Sequence, residues 1–197
     1  TMFPSGTKIP SVVLFIGIVL FALCWTGAVL LDPSWTFGVN TMSELGISKT
    51  DARYLFLIGC LGTGACTCLY GALMAYSLKP LLLRSVFTIL SIGGIFLMGV
   101  GFFTMDTDLH IVFTAAFFIS IALSMVNYTL YVAFAEENYL LATYTALLIV
   151  ANILLLLLTP LAFVEPVAVI MFMVWILSIN HSFFWNEDKW FVINYGR

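Results

Sequence analysis

Long apolar runs divided by short polar breaks set the pattern of the whole chain. Six runs, at 11–31, 54–76, 83–104, 109–134, 139–164 and 166–185, are each long enough to cross the hydrocarbon core of a bilayer as a helix, which takes about 20 apolar residues. No Asp, Glu, Lys or Arg falls in the middle of any run, and none alternates as a barrel strand would. The first run, behind Lys8, is too long for the apolar region of a signal peptide and no small-residue cleavage pattern follows, so it reads as a retained helix. The pattern predicts an all-α integral membrane protein, with a single domain over 1–185 built as a bundle of six transmembrane helices. The tail, 186–197, mixes Glu187, Asp188 and Lys189 with Trp190, Phe191 and Tyr195, which suits an amphipathic segment at the headgroup level.

Composition agrees. Of 197 residues 62% are hydrophobic and 9% charged, whereas a soluble domain is about 45–50% apolar and about 25% charged. The formal net charge of -3, without a basic run, excludes a nucleic-acid partner. An even number of crossings puts Lys8, Lys79, Arg84, Lys189 and Arg197 on one face, against Lys49 and Arg53 on the other. Positive charge favours the inner side, so a multi-pass protein of the cell membrane with N- and C-termini both cytoplasmic is expected. The outer face then carries Asp32, Glu44, Asp51, Asp106, Asp108 and Glu165. Without charges at mid-membrane, a pump or ion-coupled transporter is disfavoured, and Asn127, Asn152 and Asn180 are read as interhelical hydrogen-bonding groups. Cys24, Cys60, Cys66 and Cys68 lack metal or redox spacing and read as packing residues.

Polar chemistry concentrates in two breaks. The stretch 101–110 holds Asp106, Asp108 and His110, two of the ten acids and one of the two histidines. Asp106 and His110, four apart, would share a helix face and form part of a ligand set for a single divalent metal, which Glu44, or else Asp108, Asn40 or Glu165, would complete if the outer loops fold over the fourth helix. The plainer reading has Asp106, Thr107 and Asp108 capping the fourth helix and His110 at the interface. Asn40, Thr41, Ser43, Glu44 and Gly46 form the second group. Thr41 and Glu44 have capping-box spacing, Gly46 would end the short helix, and Ser48 with Asp51 repeats the box before the second long helix. The candidate outer-face cluster is therefore Asn40, Ser43, Glu44, Asp106, Asp108 and His110. His110 and His181 fall at opposite faces, which excludes bis-histidine haem, and no organic cofactor is indicated. Small residues recur at four-residue spacing at Cys60, Gly64, Cys68 and Ala72, and Gly93, Gly94, Gly99 and Gly101 follow in the third helix, so these two helices are expected to pack closely.

Asn40-x-x-Ser43-Glu44-Leu45-Gly46 ahead of the second helix, entered by Tyr54-Leu55-Phe56, is similar to an N-x-x-S-[DE]-L-G motif. Gly93-Gly94 and Gly99-x-Gly101-Phe102-Phe103, then Asp106 and His110-Ile111-Val112-Phe113-Thr114-Ala115, continue the likeness. The chain resembles the archaeal and bacterial six-helix membrane proteins of domain-of-unknown-function family 998, distantly akin to Frag1/DRAM-like proteins. Thr104 and Thr114 depart from the proline and alanine frequent there. The resemblance implies six helices and a shared outer cluster of Ser43, Glu44, Asp106 and His110, with no established reaction. The expected function is that of a structural or accessory subunit or lipid-associated protein, with membrane lipids and other membrane subunits or further copies of itself as partners. The alternatives are an outer-face metal-dependent enzyme acting on a lipid or amphipathic substrate, and a transporter of a small neutral solute.

Overall fold

The computed structural model describes residues 9–184, with side chains described as far as residue 180. The tail at 186–197, Lys8 and the side chain of His181 lie outside the described residues. Six helices, each long and apolar enough to cross a membrane, follow one another: α1 (Ile9–Leu31), α2 (Ala52–Ser77), α3 (Leu81–Phe102), α4 (Leu109–Phe134), α5 (Tyr139–Leu158) and α6 (Leu161–Phe184). Between α1 and α2 lies a short 3₁₀ helix, Met42–Ile47. From α2 onward, short links make successive helices antiparallel. The end of the bundle that carries the 3₁₀ helix, the 103–108 turn and the α5–α6 link is called the cap end below.

Glycine sets the tightest contact. Helices α2 and α3 pack against each other more extensively than any other pair. A Cβ at Gly64 would lie 2.6 Å from the Gly94 carbonyl oxygen, and one at Gly94 would lie 2.5 Å from the Cys68 nitrogen. Only a missing side chain lets the two backbones meet in this way. The expected close packing of the two helices is thus realised within one chain. Helix α1 packs on the other side of α2, where a Cβ at Gly17 would strike Cys66 Cβ at 2.7 Å and one at Gly59 would strike Cys24 Cβ at 2.9 Å.

Helix α6 closes the bundle with large side chains. Trp175, Ile176 and Ile179 are fully buried, and the Trp175 ring meets Tyr128 of α4 edge-on with centroids 5.9 Å apart. Asn180 accepts from Ser11 of α1 at 3.1 Å and from Tyr70 of α2 at 3.4 Å. Asn127 donates to Ser85 of α3 at 3.0 Å, so both amides do bond between helices. Asn152 instead donates to Leu148 one turn back in its own helix. Helix α5 is the least enclosed, with only Ala142 and Thr145 buried.

The break between α5 and α6 differs from the apolar pattern. That pattern ran the fifth helix to 164 and began the sixth at Pro166, but the chain breaks at Thr159 and Pro160. Pro160 cannot extend α5 because it lacks an N–H. Its carbonyl instead accepts from Phe163 and Val164 and opens α6. Pro166 lies inside α6, close enough to the start that only one intrahelical bond is lost. The shift moves Glu165 from an inter-helix link into the second turn of a membrane-spanning helix.

Gly94→Ala is expected to force α2 and α3 apart and lower stability by about 1–3 kcal/mol, the usual cost of overpacking. Thermal unfolding of the purified protein in detergent measures it, with Gly38→Ala, at a loop position with φ of +76°, as a comparison that strains a turn but leaves the helix contact intact.

Candidate functional site

The loop at the cap end is an ordered structure built from its own polar residues. Asp32 follows α1 and accepts from the Ser34 amide at 3.1 Å, the Ser34 hydroxyl at 2.5 Å and the Ser48 hydroxyl at 2.6 Å. These hydroxyls, Ser34 first and then Ser48, hold the Asp32 carboxyl below the usual carboxylate range. Gly38 takes a left-handed φ of +76° and turns the chain back, with Phe37 stacked edge-on against Phe163 of α6. Trp35 Nε1 then donates to the Thr41 carbonyl at 2.8 Å.

The 3₁₀ helix is held from both sides by carboxylates. Glu44 accepts from Asn40 Nδ2 at 2.7 Å and from the Thr41 amide at 2.8 Å, which is the glutamate half of the predicted capping box. Chiefly through the Asn40 amide, and next through the Thr41 amide, its carboxyl is held low. Glu165 reaches in from α6. It accepts from the Met42 amide at 2.8 Å and makes longer contacts, each 3.4 Å, with the amide and hydroxyl of Ser43. Glu165 is 5% exposed and Ser43 is likewise 5% exposed, so these bonds form away from water. A buried carboxylate persists only with such donors, and here they are the otherwise unpaired first amides of a short helix.

His110 lies on the neighbouring wall. It is 7% exposed, within electrostatic reach of Glu165, and its Nδ1 stands 2.7 Å from the Phe103 carbonyl oxygen. A carbonyl can only accept, so Nδ1 carries the proton; Nε2 faces the Thr114 hydroxyl at 3.4 Å. The imidazole thus stitches the α3–α4 turn and sits inside the protein, where the capping reading placed it at the interface. Nor do the acids of that turn cap α4 with their side chains. Asp108 makes no side-chain cap bond, while Asp106 accepts from the Thr104 hydroxyl and is exposed. The Thr107 hydroxyl closes the turn onto the Thr104 carbonyl at 2.9 Å. Ser48 is spent on Asp32, and the Thr50 hydroxyl, rather than Asp51, receives the Ala52 amide at 3.2 Å.

Of the cluster read from the sequence, Asn40 and Glu44 meet each other, and Ser43 and His110 both approach Glu165. Asp106 and Asp108 stay on the surface. Glu44, Asp106 and His110 each hold a different neighbour, and among the described residues no group of three or more His, Cys, Asp or Glu side chains is close enough to hold a metal ion. Glu165 is the residue the sequence reading left out of the cluster. Its signal was an acid in the single-residue gap between the fifth and sixth apolar runs, beside hydrocarbon on both sides, where an ionisable residue in a membrane protein needs a partner. Gly46 also has another task than ending the helix. The 3₁₀ turn continues to Ile47, and a Cβ at Gly46 would lie 2.8 Å from the Phe56 ring and 3.2 Å from Thr104 Cγ2. Only glycine lets the cap settle onto α2 and the α3–α4 turn.

Six membrane-spanning helices closed at one end by a folded polar cap define a small polytopic membrane protein. The chain belongs to the family described as protein of unknown function (DUF998), whose model matches residues 15–180, from within α1 to within α6, and so includes the cap. No curated protein and no solved structure matches it.

Backbone hydrogen exchange as a function of pH separates the two carboxylates. In Glu165→Ala the Met42 amide should lose protection while Thr41 keeps it, and the protein should lose about 2 kcal/mol, the scale of leaving a buried amide donor unpaired. In the unaltered protein the contribution of Glu44 is fully present above the ordinary glutamate pKa of about 4.3 and is lost only as pH falls through its lowered folded value. Protection of Thr41 should therefore persist below pH 4.3 before it fails.

Proposed function

We propose that this is a non-catalytic, lipid-associated accessory protein of the cell membrane, with both termini in the cytoplasm. The observation that carries the reading is how the polar side chains at the cap end are used. Glu44, Asp32, Asp106, His110 and Glu165 each bind the protein's own backbone or hydroxyls. Such groups fix a shape and are not held ready for a substrate. Around that shape the helices present apolar side chains, among them Leu140, Leu147, Leu157 and Leu158 of α5, which lipid or a neighbouring membrane subunit would cover.

For the purified protein in detergent, added phosphatidylcholine should raise the unfolding temperature, and EDTA should leave it unchanged. A fall on EDTA treatment, restored by a divalent metal, would overturn the reading in favour of a metal-dependent enzyme. Retention of the orientation rests on the positions of Lys79 and Arg84 opposite Lys49 and Arg53. In intact cells, a membrane-impermeant maleimide should label Lys49→Cys and spare Arg84→Cys in a background without the native cysteines; the reverse pattern would invert the topology.

A further inference from the structure

Two parts of the cap differ in chemistry. The α3–α4 turn presents the exposed acids Asp106 and Asp108. The loop between α1 and α2 carries no charged residue from Pro33 to Ser43. Its tip is a tight turn at 36–40. There the Val39 and Asn40 amides both donate to the Thr36 carbonyl, at 3.1 and 3.0 Å, and Asn40 Oδ1 accepts from the Thr36 amide at 3.0 Å. Within this turn only Gly38, at φ +76°, needs its residue type for the backbone path. The flanking positions are thus free to be polar, as turn residues usually are. They are apolar instead: Phe37 is 47% exposed and Val39 is 72% exposed.

The depth of the turn follows from α6. The membrane-crossing part of that helix, Leu161–Asn180, has 20 residues. At about 1.5 Å per residue it is about 30 Å long, the thickness of the hydrocarbon core, so its first turn lies at the hydrocarbon edge. Phe37 is fixed at that level, its ring edge-on to Phe163 with centroids 5.6 Å apart. Leu161 of the same first turn is 52% exposed. Behind Phe37 stand the rings of Trp35, at 6.5 Å, and Trp25 of α1, a further 6.4 Å on, which complete an aromatic row from α6 to α1. Aromatic rings, tryptophan above all, gather at this depth in membrane proteins. We infer that the turn at 36–40 is a membrane anchor: Phe37 and Val39 seat in the interface of the leaflet at the cap end, beside the first turn of α6, with bilayer lipid as the partner. Acyl chains there cover apolar surface that water would otherwise have to hydrate. The uncharged part of the cap lies in the bilayer surface, and the part with Asp106 and Asp108 faces water. This anchoring depends on the six spans alone and holds whether or not the protein has the accessory role proposed above.

The full chain, with a nitroxide at Val39→Cys in a background without the native cysteines, is reconstituted in phosphatidylcholine vesicles. Collisions of the label with oxygen, which concentrates in hydrocarbon, are compared with those of a water-soluble nickel chelate. The ratio at Val39→Cys should match that at Leu161→Cys and stand several-fold above that at Asp108→Cys. A ratio equal to that at Asp108→Cys puts the turn in water and overturns the anchor. Few collisions with either reagent mean that a protein surface covers the turn, which overturns it equally. Should the cysteine-free variants not fold, the unaltered chain is irradiated in vesicles of a phosphatidylcholine with a diazirine on its acyl chain, and the labelled peptides are mapped. The turn at 36–40 should then carry label at a level near that of Leu161 and several-fold above that of the turn at 103–108. Label on the helices alone overturns the anchor.

Discussion

The rest of the architecture depends on the contact of two bare backbones, Gly64 on α2 and Gly94 on α3. In a bilayer, helices gain little from burying apolar side chains, because lipid tails are as apolar as leucine. Close van der Waals contact must hold them together, and it is strongest where no side chain intervenes. Around this seam the helices on either side find their places. Helix α1 follows the small residues on the other face of α2, while α4 lies along α3 and anchors through Ser124, which donates to the Val86 carbonyl at 3.1 Å. The glycines serve as a closely fitted surface.

The same environment explains the cap. Non-helical backbone near hydrocarbon needs partners for every amide and carbonyl, and such partners come from within the protein. The loop between α1 and α2 is the longest irregular stretch described, and it meets that demand with side chains. Asp32, Asn40, Glu44 and Trp35 bond within the loop, and Glu165 supplies the remaining acceptor from α6. A carboxylate in the second turn of a spanning helix is costly alone. Facing the open amides of Met42 and Ser43, it offsets much of that cost and ties the first third of the chain to the last helix. The polar residues that looked most like catalytic groups are therefore the ones that let an irregular segment sit at the membrane.

A cap fastened in this way also shapes what lies beneath it. Leu45 and Met42 are buried beneath it, with Met42 held to Glu165 and Gly46 resting on the Phe56 ring. Polar bonding above and hydrocarbon below give the cap end an amphipathic profile.

The six spans were legible in the sequence because hydrocarbon thickness fixes a length and an uncharged composition that each span must meet alone. Close packing of α2 on α3 was legible as well, since small residues at four-residue spacing need no knowledge of the partner's position. The Thr41–Glu44 capping box could be read from spacing because it is local. The partner of Ser43 could not. Glu165 stands more than a hundred residues away, and whether it belongs to a link or a helix turned on how Thr159, Pro160 and Pro166 divide the work of ending one helix and starting the next. His110 was similarly visible as a polar residue at a helix start, yet its burial and its bond to the Phe103 carbonyl depend on how α4 folds back on α3. Sequence by itself determined what each segment must be in a bilayer; the tertiary structure alone decided which distant side chains satisfy which backbone groups, because hydrogen bonding at the cap is a matter of position in space, which periodicity does not encode.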